Sequence, residues 1–158
     1  MKQRLISSCA DLAGELLNEK KERFGILVID DHPIMRDGLR AVIGQESDMH
    51  IVGEAANGRE AIAQFRKLRP DLTLIDLQMS EDGGLRTISA IRREFRGANI
   101  IVLTTYPGDA RVVNAFALGA ASYLLKTARS DEIIDAIRRA IIGRQIAVSQ
   151  AAQDTGHE

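Results

Sequence analysis

Short runs of nearly uninterrupted aliphatic residues alternate along this chain with longer amphipathic stretches. GILVIDD (25–31), LTLID within DLTLIDLQM (71–79), NIIVLTT (99–105) and SYLLK (122–126) are built mainly of Ile, Leu or Val, and each closes on a polar group. Runs of this length, spaced by segments of helical period, predict parallel strands buried on both faces by helices. Strands are expected at 26–30, 50–55, 72–76, 100–104 and 122–126, and the second, which alternates less clearly, reads as an edge strand. Helices are expected at 33–45, 58–68, 85–95, 109–118 and 131–142.

Local signals support these boundaries. Pro33 suits a first helical turn, where its missing N–H costs nothing. Asn57-Gly-Arg-Glu60 reads as a capping box, and Arg69-Pro70-Asp71 closes the helix that follows it. Gly83 and Gly84 allow a sharp turn after the central strand, and Gly119 reads as a helix C-cap. Residues 1–23 carry a stripe of their own, with Leu5, Cys9, Leu12 and Leu16 at alternating spacings of four and three, ahead of the charged run EKKER. They predict an amphipathic helix packed on its own domain or on a partner. The five-strand pattern is complete from Phe24 onward, so this helix is expected to be an accessory. After Gly143 the residues become small and polar, as in a linker or tail covering 145–158.

In a parallel sheet every strand C-terminus lies on one edge. Asp30, Asp31, Asp76, Thr104 and Lys126 therefore converge, at the crevice where such sheets bind ligands. Taken singly, each has an ordinary explanation as a helix cap, a surface pair or a strand end. Four strands closing this way is hard to reach by accident. Asp30, Asp31 and Asp76 offer the hard oxygen ligands that Mg²⁺ requires. Lys126 and Thr104 suit a phosphoryl group, whose charge they would stabilise. Asp76, on the central strand, then reads as a nucleophile able to form an acyl phosphate.

Composition narrows the classes. The chain has 158 residues, 45% hydrophobic and only 4% aromatic, enough for one aliphatic-cored domain. Its 21 basic and 22 acidic residues give a net charge of −1, without the basic surplus of a nucleic-acid binder. Cys9, the one cysteine, excludes an internal disulfide and any cysteine-based zinc site. No apolar run is long enough to span a membrane or serve as a signal peptide, so a cytoplasmic location is expected.

The segments VIDDHPIMRDGLRAVI, EAANGREAI, PDLTLIDLQM, IIVLTTY and AASYLLK, in this order from Phe24 to about Arg144, resemble a response-regulator receiver domain of two-component systems, of the NarL/LuxR-like (FixJ) subclass. The resemblance implies a doubly wound, flavodoxin-like α/β domain over 24–144, with a five-stranded parallel sheet in the order 2-1-3-4-5. By the same resemblance Asp76 is the phospho-acceptor. Asp31, Asp76 and the backbone carbonyl of Gln78 bind Mg²⁺ directly, with Asp30 acting through water. Thr104 and Lys126 hold the phosphoryl oxygens, and Tyr123 occupies the aromatic switch position beside Thr104. The implied partners are a sensor histidine kinase and, in a homodimer, a second copy. DNA would be reached only through an output domain, normally a helix-turn-helix, that these 158 residues do not include. The expectation is thus either a fragment of a transcription regulator or a receiver acting without such a domain. It is not an enzyme beyond transfer to its own aspartate and slow dephosphorylation.

The chain departs from the family pattern at Ser80, where Pro is usual, at Gly83, where Asp is common, and at Thr127, which follows the lysine. None of these is a site residue. The rival classes fit less well. An Asp-based phosphatase would want a second Asp two residues after the nucleophile, where Gln78 stands. A flavin binder would want a phosphate cradle after the first strand, where DDHPIMRD is acidic. A phosphorylation-independent interaction module would typically have lost one of the acids or the lysine, and all are retained.

Overall fold

The computed structural model describes residues 23–80 and 83–154. The helix expected over 1–23 lies, but for its last residue, outside them. In chain order the elements are β1 (Phe24–Ile29), α1 (Pro33–Gly44), β2 (Met49–Ala55), α2 (Gly58–Leu68), β3 (Leu72–Asp76), α3 (Gly83–Glu94), β4 (Ile100–Thr104), α4 (Ala110–Ala117), β5 (Ser122–Leu125) and α5 (Ser130–Asp154). The strands form one parallel sheet in the order β2-β1-β3-β4-β5, as the sequence predicts.

The aliphatic runs are continuous because both faces of the sheet are covered. Ile26, Val28, Leu72, Leu74, Ile101 and Leu103 point toward α1 and α5, where they meet Leu39, Ile43, Ile134 and Ile137. Leu27, Ile29, Ile75, Ile100 and Val102 point the other way, against Ala61, Phe65, Ile88, Ile91 and Ala115 of α2, α3 and α4. This parity carries through to the strand ends, since successive side chains alternate between faces. Asp30, Asp76 and Lys126 continue the α1/α5 side, whereas Thr104 continues the side of Ile100 and Val102.

β5 pairs only with β4 and forms the sheet's second edge, as the expected order requires, and its Tyr123 is 42% exposed. Two elements differ from the sequence expectation. α3 begins at Gly83, earlier than the predicted 85. α5 does not stop near Ile142 but continues to Asp154, through the stretch read as a linker. Residues 144–153 contain no Pro, and Ala and Gln, both strong helix formers, make up six of the ten. Gly143, open on all sides, interrupts nothing.

Two glycines are required by close approach. A Cβ on Gly84 would stand 2.6 Å from the carbonyl oxygen of Asp76 and 2.8 Å from the Cα of Leu77, neither of which can give way. Gly84→Ala is therefore expected to lower stability by about 1–3 kcal/mol, read as a lower midpoint in urea unfolding. Gly119 has φ +106° and packs under the Arg92 guanidinium.

Candidate functional site

Parallel registry assembles the site. Ile29 is opposite Ile75, Asp76 opposite Leu103 and Thr104 opposite Leu125. The residue after each strand, or the last residue within it, thus reaches the same edge. Asp30 and Asp76 flank the position where strand order reverses, between β1 and β3.

Asp30, Asp76 and Thr104 are fully buried. Lys126 Nζ lies 3.0 Å from Asp76 Oδ2 and 3.2 Å from Asp30 Oδ2. The ammonium sits off the favourable hydrogen-bonding directions of both, so each Oδ2 is held by charge without a well-formed hydrogen bond. The opposite oxygens are satisfied locally. Asp76 Oδ1 accepts from the backbone N–H of Gln78 at 2.8 Å, and Asp30 Oδ1 accepts from that of His32 at 2.9 Å. Burial pushes the Asp76 carboxyl above its ordinary pKa, against the pull of the Gln78 N–H and Lys126 and with some help from Asp30. Two buried carboxylates facing one ammonium leave an excess of negative charge that a cation would relieve.

His32, in the turn into α1, also enters this cluster. Its Nδ1 lies 3.0 Å from both Asp30 Oδ1 and Asp31 Oδ1, and 3.7 Å from Asp76 Oδ2. It caps α1 with its backbone alone. Asp31 is exposed at the mouth. Potential ligand atoms of Asp30, Asp31, His32 and Asp76 all fall within 4.8 Å of one another. Oxygen donors at this spacing, two of them on fully buried carboxylates, fit a hard divalent cation such as Mg²⁺. The Gln78 side chain is engaged elsewhere, its Oε1 accepting from Thr105 Oγ1 at 2.5 Å.

Thr104, on the opposite parity, is turned away from the carboxylates. Its hydroxyl lies 3.3 Å from the Tyr106 carbonyl oxygen and 3.3 Å from Asp109 Oδ2, sharing one proton between two acceptors. Asp109 caps α4 by accepting from the Arg111 N–H. The Arg111 guanidinium clasps both Asp109 oxygens, at 3.0 and 2.7 Å, and donates to the Leu77 carbonyl at 2.9 Å. That guanidinium holds the Asp109 carboxyl below the usual range, against its partial burial. Tyr123 meets Phe116 edge to face at 6.3 Å. No local signal marks Arg111, whose bond to Leu77 spans 34 positions. Asp109 was legible only as a helix start.

Among the described residues no helix is long and apolar enough to cross a membrane. The family model for the response regulator receiver domain matches residues 26–138. The response regulator protein VraR of Staphylococcus aureus strain Mu3 is 36% identical over 121 residues, covering 77% of this chain and 58% of VraR. The chain thus spans little more than half the length of the curated relatives it matches. A LuxR-family two-component response regulator from Aurantimonas sp. SI85-9A1 superposes with a TM-score of 0.73 at 32% identity, over 84% of this chain and 99% of that one. The response regulator domain of Thermotoga maritima CheB gives 0.69 at 27% identity, over 75% and 96% respectively.

Proposed function

Because the chain belongs to the response regulator receiver domain family of two-component systems, we propose that it accepts a phosphoryl group from a sensor histidine kinase onto Asp76 and passes the event on as a change of shape. The observation that carries this reading is the buried Asp76 Oδ2, free of a well-formed hydrogen bond and 3.0 Å from Lys126 Nζ. It is a carboxylate oxygen kept available, beside a cation that can follow the charge.

In the proposed reaction Asp76 Oδ2 attacks phosphorus, the P–N bond to the donor's imidazole breaks, and its electron pair leaves with the ring. The product is an acyl phosphate on Asp76. Lys126 moves its ammonium from the carboxylates to a phosphoryl oxygen, and Thr104 offers its hydroxyl to another. Asp31, Asp76 and the Gln78 backbone carbonyl would hold Mg²⁺, with Asp30 acting through water. The bound ion would neutralise charge on the entering group. The chain consumes its own side chain and turns over only by slow hydrolysis, so we class it as a phospho-acceptor and not as an enzyme. The reading places it in the cytoplasm, with transcription as the output and DNA contact left to another domain or partner.

Incubation with acetyl phosphate and Mg²⁺, followed by intact mass, tests the reading. One phosphoryl group should be gained, and EDTA should abolish the gain. An equal gain with EDTA would overturn the metal assignment, and no gain from acetyl phosphate or from phosphorylated kinase would overturn the function.

Readout is proposed to run through Thr104 and Tyr123. When the hydroxyl turns toward the phosphoryl group, Tyr123 can rotate into the space it leaves. Hydrogen exchange on the Mg²⁺-bound protein, with and without beryllofluoride as a phosphoryl mimic, should show altered protection across 105–142. Changes confined to the loops around Asp76 would exclude this route.

A further inference from the structure

At the edge of the sheet opposite the site lies a groove of about 1000 Å³ that phosphoryl transfer does not use. Its floor is aromatic. The Phe65 and Phe95 rings stand 4.8 Å apart, and the Arg69 guanidinium covers Phe95 at 4.0 Å. One wall is the distal part of α5, with Ile141 and Val148, and Phe24 stands on the lining as well. Ile141 is buried in the core, but beyond it α5 carries Ile142, Ile146 and Val148 at 54%, 52% and 61% exposure. Val148 lines this groove, while Ile142 and Ile146 line a smaller one of about 240 Å³ on the adjoining face of α5, and Gln145 and Ser149 belong to both. Exposed aliphatics on adjoining faces of one helix end mark a surface suited to being covered.

The chain itself supplies a candidate to cover it. The chain enters the described domain at Phe24, on the lining of this groove, and the residues before it carry the apolar stripe Leu5, Cys9, Leu12 and Leu16. As a helix, residues 5–16 would run about 17 Å, close to the reach of α5 from Ile141 to its end. A segment tethered at the lining acts at high effective concentration, so even a modest apolar contact is populated. We propose that residues 5–16 of the same chain dock on this groove and on the exposed aliphatics of distal α5, making a helix pair at the end of the domain remote from Asp76. The groove and the stripe carry this independently of the phosphorylation reading.

Cys9 makes the test direct, since it is the only cysteine of the chain. In the full-length protein Ile142→Cys, Ile146→Cys and Val148→Cys are introduced one at a time, followed by mild oxidation. At least one variant is expected to yield a monomer lighter by two hydrogens, the mark of an internal link to Cys9. Linked dimers in its place would show that a second copy covers the groove, and absence of any link in all three would show that the segment lies elsewhere. Either result overturns the proposal. Hydrogen exchange adds a second readout. The double variant Leu12→Glu, Leu16→Glu should speed exchange over 141–152 by roughly tenfold or more, and unchanged exchange would count against docking. Phosphorylation of Asp76 in the same variants, measured by mass, reports separately on the fold and the remote site.

Discussion

Asp76→Asn is expected to gain no phosphoryl mass under conditions that convert the parent protein, because an amide oxygen carries neither the charge nor the nucleophilicity of a carboxylate. The same substitution is expected to raise thermal stability in metal-free buffer. Asp76 and Asp30 are both fully buried and share one ammonium, so replacing Asp76 by a neutral group of the same shape removes a like-charge contact. Lys126 keeps Asp30 as its partner. A gain on the order of 1 kcal/mol corresponds to a rise of about 2–4 °C in Tm for a chain of this size. Calorimetry and intact mass on one preparation measure both effects. A variant that still gains a phosphoryl group would move the acceptor to another residue.

Arg111→Ala is expected to make the protein easier to switch. In the resting geometry the Thr104 hydroxyl is held by Asp109, Asp109 is clasped by Arg111, and Arg111 donates to the Leu77 carbonyl beside the acceptor. The first of these contacts exists only while Thr104 faces away from Asp76, the other two hold its acceptor in place, and a phosphoryl group must draw the hydroxyl out of this network. Weakening contacts found only in the resting state shifts the population toward the other, by tenfold for each 1.4 kcal/mol. Arg111 is partly solvated, so its share is discounted, and beryllofluoride affinity should rise by roughly three- to tenfold. Asp109→Asn should act in the same direction while retaining a capping oxygen for α4, which separates loss of the clasp from loss of the cap. Unchanged or weaker affinity in both variants would show that the network does not oppose switching.

Much of this arrangement was legible before any coordinates. Strands buried on both faces must be aliphatic throughout, so Ile26–Ile29, Leu72–Ile75 and Ile100–Leu103 identify themselves, and their polar ends follow onto one edge. Other features depend on geometry that residue type does not encode. Nothing in DDHP says that the ring of His32 turns inward over the carboxylates. The tie between Thr104 and Asp109 depends on how 105–108 fold back, and that from Arg111 to Leu77 joins segments far apart in the chain. At the far end of α5 the small polar residues suggest a tail, although Ala and Gln favour helix.

The alternation of side chains along the strands has a further consequence. Asp76 and Lys126 stand on the layer of α1 and α5, and Thr104 on the layer of α2, α3 and α4, so a message written at the carboxylate must pass through the plane of the sheet to be read. A donor that approached over α1 and a listener seated on α4 would therefore occupy different sides of the molecule, and neither would have to leave for the other to arrive. Substitutions that retuned recognition on one layer would then leave the carboxylates and the recognition surface of the other untouched.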